Sequence, residues 1–509
     1  MINSIVLGLV IGALFAPFTA QPAAAQDASD ELVFAEVIVT AVRRETSLME
    51  TPGAVSAFDQ ATLAREGVKN LVNIGSRVPN MQVGLSPSDS GVQIALRGIT
   101  SNNFTELGDP TVGIHVDGLS SPRPQGALAL LYDVERIDIM RGPQGTLFGR
   151  NSTSGTINIV PSRPDVNEFA GSVELEAGNY NNLATRGWLN LPVSDKVAVR
   201  ASFMTQQMDT YLNQTMDRYD LDWDVDGDGR TDGPNDVPAD GIPNTDQRRN
   251  YRQSDSEAYG SIDRWGGRVA IRFLPTDTID WTLTYDHFQD NSPGVPFLKD
   301  CEKAKGTFFE CENKLFDLSV NTPGELDMTI RTIRSKFLWD ATDWFSVEYR
   351  YAYSEQDRYQ LFDQDAGAFA DPDHPGYGID IDGELFGGVR GWMNRDEQIF
   401  YDLGFQPRAL QPFEDLALET EYSYYDSQVH DLIIKSEGDS RLQWLAGYFY
   451  LEEDNEIKFN VEIPWCCGFI RPLAQSFVQP KRTVESEAVF AQFDFAVSDV
   501  LNVTFGYRY

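Results

Sequence analysis

Beyond about residue 165, apolar and polar positions alternate one by one along the chain. After Asp277, the side chains of Ile279, Trp281, Leu283 and Tyr285 fall on one face and those of Asp280, Thr282, Thr284 and Asp286 on the other. After Asp499, Leu501, Val503, Phe505, Tyr507 and Tyr509 oppose Asn502, Thr504, Gly506 and Arg508. A period of two held over about ten residues predicts strands with one dry face, long enough to cross a bilayer at a tilt. Short Asp-bearing turns introduce such strands at Ser194-Asp195, Thr276-Asp277, Thr342-Asp343, Glu414-Asp415, Gly438-Asp439 and Ser498-Asp499. The opposite ends are joined by long polar connections, as between Gln206 and Arg264 and between Ser354 and Gln398. Tight turns at one rim and long loops at the other are the asymmetry of an outer-membrane barrel. A secreted two-sheet sandwich also alternates, so the alternation by itself leaves both architectures open.

Composition divides the 509 residues near the same point. Residues 1–165 have a net charge of -5 with seven aromatics and no Trp; the remainder has a net charge of -31, 52 aromatics, every Trp and every Cys. A net charge of -36 without a basic run argues against a nucleic-acid partner, because phosphate binding requires a cationic footprint. No apolar run is long enough to cross a bilayer as a helix, which removes polytopic helical proteins but leaves barrels. Ile5 to Phe18 is apolar and is followed by Gln21-Pro22-Ala23-Ala24-Ala25-Gln26, a secretory signal with cleavage after Ala25, although no Lys or Arg precedes it.

The segment DVERIDIMRGPQGTLFGRNSTSGTINIV at 133–160 follows IALRGI at 94–99 and VGIHVDGL at 112–119. Gly142, Gly145, Gly149 and Gly155 suit tight turns between short strands. No Gly-Lys-Ser/Thr or GxGxxG occurs here, so a phosphate cradle is unsupported. This ordered run resembles the plug domain of TonB-dependent outer-membrane receptors, as do EVIVTAVRRETSLMETPGAVSAF at 36–58 and the helix-like VKNLVNIGSRVPNMQV at 68–83. The resemblance covers residues 36–160 and marks Arg97, Gly98, Asp117, Gly118, Arg141, Gly142, Gly145, Gly149, Asn151 and Gly155 as plug-motif residues. It implies a mainly β protein: a transmembrane antiparallel β-barrel of the 22-stranded type behind an N-terminal α+β plug, in the Gram-negative outer membrane. It further implies import of a scarce ligand, most often a ferric siderophore, with the plug on the periplasmic side, a monomeric protein in outer-membrane lipid, and the TonB protein of the inner-membrane energising complex as partner.

The resemblance assigns Glu36, Val37, Ile38, Val39, Thr40 and Ala41 as the TonB box. Physically the segment is short, β-prone and uncharged after Glu36, so it can join a partner's sheet edge through backbone hydrogen bonds; it would equally serve as the first strand of the plug. Residues 1–25 then read as signal, 26–45 as leader and box, 46–165 as plug and 166–509 as barrel. Counting out and back from Gly171 yields about 13 strands with the last heading outward, an odd number that predicts a barrel stopping midway.

Asp224, Asp226, Asp228 and Asp232 surround Gly229 with the spacing of a calcium loop, but Asn235 stands where a bidentate Glu would close the shell, and a solvated acidic loop fits as well. No cofactor is otherwise called for, and iron enters only as part of a ligand. Cys301 and Cys311 are suited to a loop-closing disulfide, while Cys466 and Cys467 leave cross-pairing open. No catalytic constellation stands out from the abundant acids, which argues against an enzyme. Two functional classes remain: an energised receptor-transporter, and a non-energised channel or surface adhesin. The ordered plug motifs favour the first.

Overall fold

The computed structural model describes residues 38–39, 43–44, 46–48, 51–85, 92–101, 108–121, 131–219, 248–251, 254–294, 317–320, 324–363, 417–463, 473–498 and 500–509. Strands β1 (Ile38–Val39) and β2 (Thr46–Ser47) form a small antiparallel hairpin, with Ile38 opposite Ser47 and Val39 opposite Thr46. The plug body follows as β3 (Ala54–Asp59), α1 (Gln60–Arg65), α2 (Leu71–Gly75), β4 (Met81–Leu85), β5 (Val92–Leu96), β6 (Val112–Val116), β7 (Leu119–Ser121), β8 (Val134–Arg141), α3 (Gly145–Phe148) and β9 (Gly155–Pro161). Its main sheet runs β3-β8-β9-β6-β7, and only β6 and β9 pair in parallel.

The helix expected around 68–83 is a single short turn. Asn70 caps it by accepting the Asn73 N–H at 3.0 Å, and Pro79 with Asn80 (φ 60°) turns the chain into β4. α1 begins likewise, with Asp59 accepting the Thr62 N–H at 2.8 Å. Between helices and sheet lie Leu71, Ile74, Leu96, Ile137, Ile139, Ile157 and Ile159, all removed from solvent. Each contributes about 1.5–3 kcal/mol of apolar burial.

The barrel-forming sheet opens with β10 (Ala170–Ala177), β11 (Leu183–Ser194) and β12 (Val197–Met208). A separate three-stranded sheet, ordered β14-β13-β17, is made by β13 (Asn213–Tyr219), β14 (Arg248–Tyr251) and β17 (Asp317–Val320). The large sheet continues with β15 (Ile262–Thr276), β16 (Ile279–Asp290), β18 (Glu325–Thr342), β19 (Phe345–Asp363), β20 (Ala417–Ser436), β21 (Leu442–Ile463), β22 (Leu473–Ser498) and β23 (Leu501–Arg508). Every neighbouring pair in this sheet is antiparallel. Eleven strands form it among the described residues, where about 13 were counted from the sequence. The difference lies at Glu414-Asp415, which falls outside the described residues: β19 pairs directly with β20 from Phe345 opposite Ser436 to Asp363 opposite Ala417, leaving no place for two strands between them. The other five Asp-bearing turns each join consecutive strands.

The period of two sorts side chains as expected. Trp281, Tyr285, Val503, Phe505 and Tyr507 are exposed on the outer face, whereas Thr282, Asp286, Arg334, Glu348, Arg350 and Asp431 point inward and are buried. An apolar outer face of this extent is stable against lipid and unstable against water. Trp339 and Trp344 stand near the tight-turn rim, where amphipathic rings meet headgroups. The calcium-loop residues Asp224, Asp226, Asp228 and Asp232 lie outside the described residues, as do Cys301, Cys311, Cys466 and Cys467.

Candidate functional site at the seam of leader, plug and barrel wall

The connection between β1 and β2 carries two adjacent arginines that point to different partners. Arg43, buried and at φ 60°, donates from Nη1 to the Gly118 carbonyl at 2.9 Å and to Asp431 Oδ2 at 2.8 Å. Its Nε and Nη2 reach the Leu147 carbonyl at 3.3 and 3.1 Å, and its guanidinium lies 4.7 Å from the centre of the Phe148 ring. One side chain thus ties the leader to the Gly118 turn and α3 of the plug and to β20 of the wall. Burial pulls the Arg43 pKa below its ordinary value, with Asp431 opposing. Arg44 instead binds the β20–β21 turn, donating to the Ser436 carbonyl at 2.7 Å, to Ser436 Oγ at 3.0 Å, to Gln443 and to the Trp444 carbonyl.

The plug side of the seam is the turn between β6 and β7. Asp117 (φ 54°) and Gly118 (φ 81°) both adopt the left-handed conformation that a two-residue hairpin turn requires. The Gly118 N–H donates to Asn158 Oδ1 at 2.9 Å, and the Asp117 N–H to the Ile159 carbonyl at 2.8 Å. A Cβ on Gly118 would fall on the Arg350 guanidinium, so close approach as well as φ requires glycine here. Asp117 receives the Lys336 ammonium at 2.9 Å. Burial pushes the Asp117 carboxyl up, but Lys336 and then Arg350 and Arg163 more than offset this and hold it well below the usual carboxylate range. On the wall, Arg350 pairs with Glu348 at 2.5 Å and stands 3.7 Å from Asp431. His115, stacked edge-on to Phe148 at 5.0 Å, is pushed down to about 3 by burial and by Arg43, so its imidazole stays neutral.

These groups enclose a cavity of about 280 Å³. The leader supplies Arg43 and Arg44 to its wall, the plug Arg136 and Arg163, and the barrel Lys336, Arg350 and Lys435. Asp117, Glu348 and Glu437 are the acids in that wall.

A second anchor holds the plug elsewhere and does not involve the leader. Asp133 (φ 51°) accepts both Nε and Nη2 of Arg200, at 2.8 and 2.5 Å, while Arg200 lies 3.9 Å over the Trp188 ring. Arg268 donates to the Tyr132 carbonyl at 3.2 Å and shares Asp286 with Arg334, at 2.7 and 2.5 Å.

The structure distributes the plug-motif residues over three knots. Arg97, Gly98, Arg141, Gly142 and Gly155 meet in the first: the Arg97 N–H donates to the Asn80 carbonyl at 2.8 Å, and Gly142 (φ 110°) leaves room for the Arg97 guanidinium. Gly145 opens α3, Gly149 (φ 79°) ends it against Arg508 of β23, and Asn151 (φ 63°) makes the following turn. Asp117 and Gly118 form the third. Of the assigned TonB box, Ile38 and Val39 form β1, and Glu36, Val37, Thr40 and Ala41 lie outside the described residues. Sequence reasoning missed Arg43, Arg44 and their wall partners. The available signal was charge on the polar face of transmembrane strands, as at Lys336, Glu348, Arg350 and Asp431, which marks the wall without naming the partner. Among the described residues no cluster of His, Cys, Asp and Glu could hold a metal ion.

The family model described as the TonB-dependent Receptor Plug Domain matches residues 47–156. The ferripyoverdine receptor of Pseudomonas aeruginosa is 28% identical over 183 residues, 36% of this chain and 22% of that protein. The pesticin receptor of Yersinia pestis is 27% identical over 208 residues, 40% of this chain and 29% of that protein. Among solved structures, the ferric yersiniabactin uptake receptor from Yersinia pestis superposes with a TM-score of 0.59 at 16% identity, covering 90% of this chain and 56% of that one. The ferripyoverdine receptor of the Pseudomonas aeruginosa outer membrane, bound to ferripyoverdine, gives 0.57 at 13% identity, covering 93% and 53%. The chain therefore spans about half the length of the solved receptors it resembles. Residues 47–156 thus match the TonB-dependent receptor plug domain, and the described chain shares the fold of solved outer-membrane receptors of that kind.

Proposed function

We propose that this chain serves energised import of a scarce chelated ligand, a ferric siderophore, with the TonB protein engaging residues 36–41. The observation that carries this reading is Arg43. It lies four residues beyond β1 and fastens the leader to the plug at Gly118 and Leu147 and to the wall at Asp431. Traction on the box is therefore delivered to the contacts that close the seam, and the plug yields on that side while the Asp133 anchor holds the other. The ligand class is supported by the relatives' names, a ferripyoverdine receptor and a ferric yersiniabactin uptake receptor.

The test is uptake of a radiolabelled ferric siderophore by cells expressing Val39→Pro. Proline removes a backbone donor and fixes φ, so strand addition to the partner should fail and uptake should fall to background while surface binding persists. Because Val39 also pairs with Thr46, the comparison is Thr46→Pro, which breaks the same hairpin but leaves residues 36–41 intact and should retain uptake. Unimpaired uptake by Val39→Pro at normal expression would contradict the box assignment and leave the passive channel.

A further inference from the structure

We infer that the cavity at the seam is a binding site for a compact oxyanion, the carboxylate-bearing class of solute, occupied on the periplasmic side of the plug during passage. The inference rests on the import reading above and adds to it the charge of what passes. Three observations carry it.

The first is the sign of the wall. Seven cationic side chains and three carboxylates line the cavity, in a chain whose net charge is -36. Asp431, Asp280, Asp138 and Glu135, which pair with Arg43, Arg163 and Arg136, do not line it. Between low-dielectric walls such an excess draws a small anion inward, because field lines concentrate in a cleft.

The second is how the cations are held. Arg43, Lys336, Arg136 and Arg350 make close ion pairs, at 2.8, 2.9, 2.6 and 2.5 Å. Lys435 stands farther from its acid, Glu437, at 3.8 Å, and Arg44 is held by carbonyl, hydroxyl and amide oxygens. Lys435 and Arg44 retain more of their field for a solute than the tightly paired four, and charge-assisted hydrogen bonds to a carboxylate are the strong ones available to them.

The third is where two of the cations come from. Arg43 and Arg44 belong to the leader that follows the box. When the leader is drawn out, both leave the wall and its cationic excess drops from four to two. The same movement that opens the seam thereby weakens the hold on an anion, so binding and release are set by one displacement.

The experiment is isothermal titration of the purified, detergent-folded protein at low ionic strength with citrate and, separately, with inorganic phosphate. Neither the partner nor energy is needed, so a failure here leaves the import reading to its own test. Saturable binding of citrate near one equivalent is expected, stronger than that of phosphate and weakened by added salt. Arg44→Gln combined with Lys435→Gln should weaken citrate at least tenfold, and Arg77→Gln, on the plug surface away from the cavity, should leave it unchanged. Glu437→Gln removes an acid from the wall and should strengthen citrate severalfold, a gain that misfolding does not produce. Absence of saturable heat with either anion, or equal citrate affinity in the wild type, the double variant and Glu437→Gln, would overturn the inference.

Discussion

The plug is tied to the wall at two places by the same chemistry, an arginine against an aspartate, yet the two ties differ in what passes through them. At Asp133 the pair with Arg200 and the Arg268–Asp286–Arg334 cluster join plug body to wall directly. At the Gly118 turn the wall's Asp431 is met by Arg43, a residue of the leader. Pulling the leader therefore loads one tie and spares the other. Burial of ion pairs is a poor source of net stability, since desolvation offsets most of the attraction, but removing one partner of such a pair is costly. That asymmetry suits a joint that is held firmly at rest and weakened by displacement of Arg43, with the direct Asp117–Lys336 pair then left to hold it.

The largest expected effect on this comparison comes from Arg43→Ala, which leaves the buried Asp431 with only the more distant Arg350, at 3.7 Å, and costs about 3 kcal/mol of local stability. Hydrogen exchange should accelerate in residues 112–121 and 145–149 and stay near wild type in 131–141. Asp133→Ala should give the reverse map, because Arg200 then loses both its acceptors. Equal acceleration in both regions from either variant would show that the two ties are one unit.

Gly118→Ala follows, at about 1–3 kcal/mol, from the left-handed φ and the collision with Arg350. Thermal unfolding monitored at the plug measures it. A smaller effect is pH dependent. The pKa of His115 in the folded plug is about 3, below its unfolded value, so the unfolded plug takes up a proton first as pH falls. Plug stability should be flat above about pH 6.5 and decline between there and about pH 3, at up to about 1.4 kcal/mol per unit. His115→Phe should abolish that slope while the Asp117 contribution, which is lost only at lower pH, remains. The smallest effect is expected from Lys69→Ala, since the Lys69–Glu176 pair is about one-third exposed and is worth about 0–1 kcal/mol.

Much of the architecture was legible because one physical rule generates it. A wall between lipid and a polar interior must alternate, and Trp281 against Asp286 is enough to reveal both faces. The glycines of the plug were legible for a similar reason: Gly118, Gly142 and Gly149 take φ values that other residues avoid. The seam was not legible. Arg43 lies 388 positions from Asp431, and nothing local in either segment specifies the other. Glu348 and Arg350, two apart on the inward face, announced a charged wall but not that the leader would complete it. The strand count failed at Glu414-Asp415, read as a rim turn although β19 and β20 pair directly, which shows that turn chemistry alone does not mark a rim turn.

The most direct measurement of the central claim, that traction opens the seam at the leader's side, is uptake across two engineered cross-links. In a background whose four cysteines are replaced by serine, one pair, Asp117→Cys with Lys336→Cys, is bridged by a short bis-maleimide containing a reducible bond. The other pair, Asp133→Cys with Arg200→Cys, is bridged in the same way. The account predicts that the first bridge blocks siderophore uptake and that reduction restores it, whereas the second leaves uptake essentially intact. Uptake that survives the first bridge and is stopped by the second would contradict it.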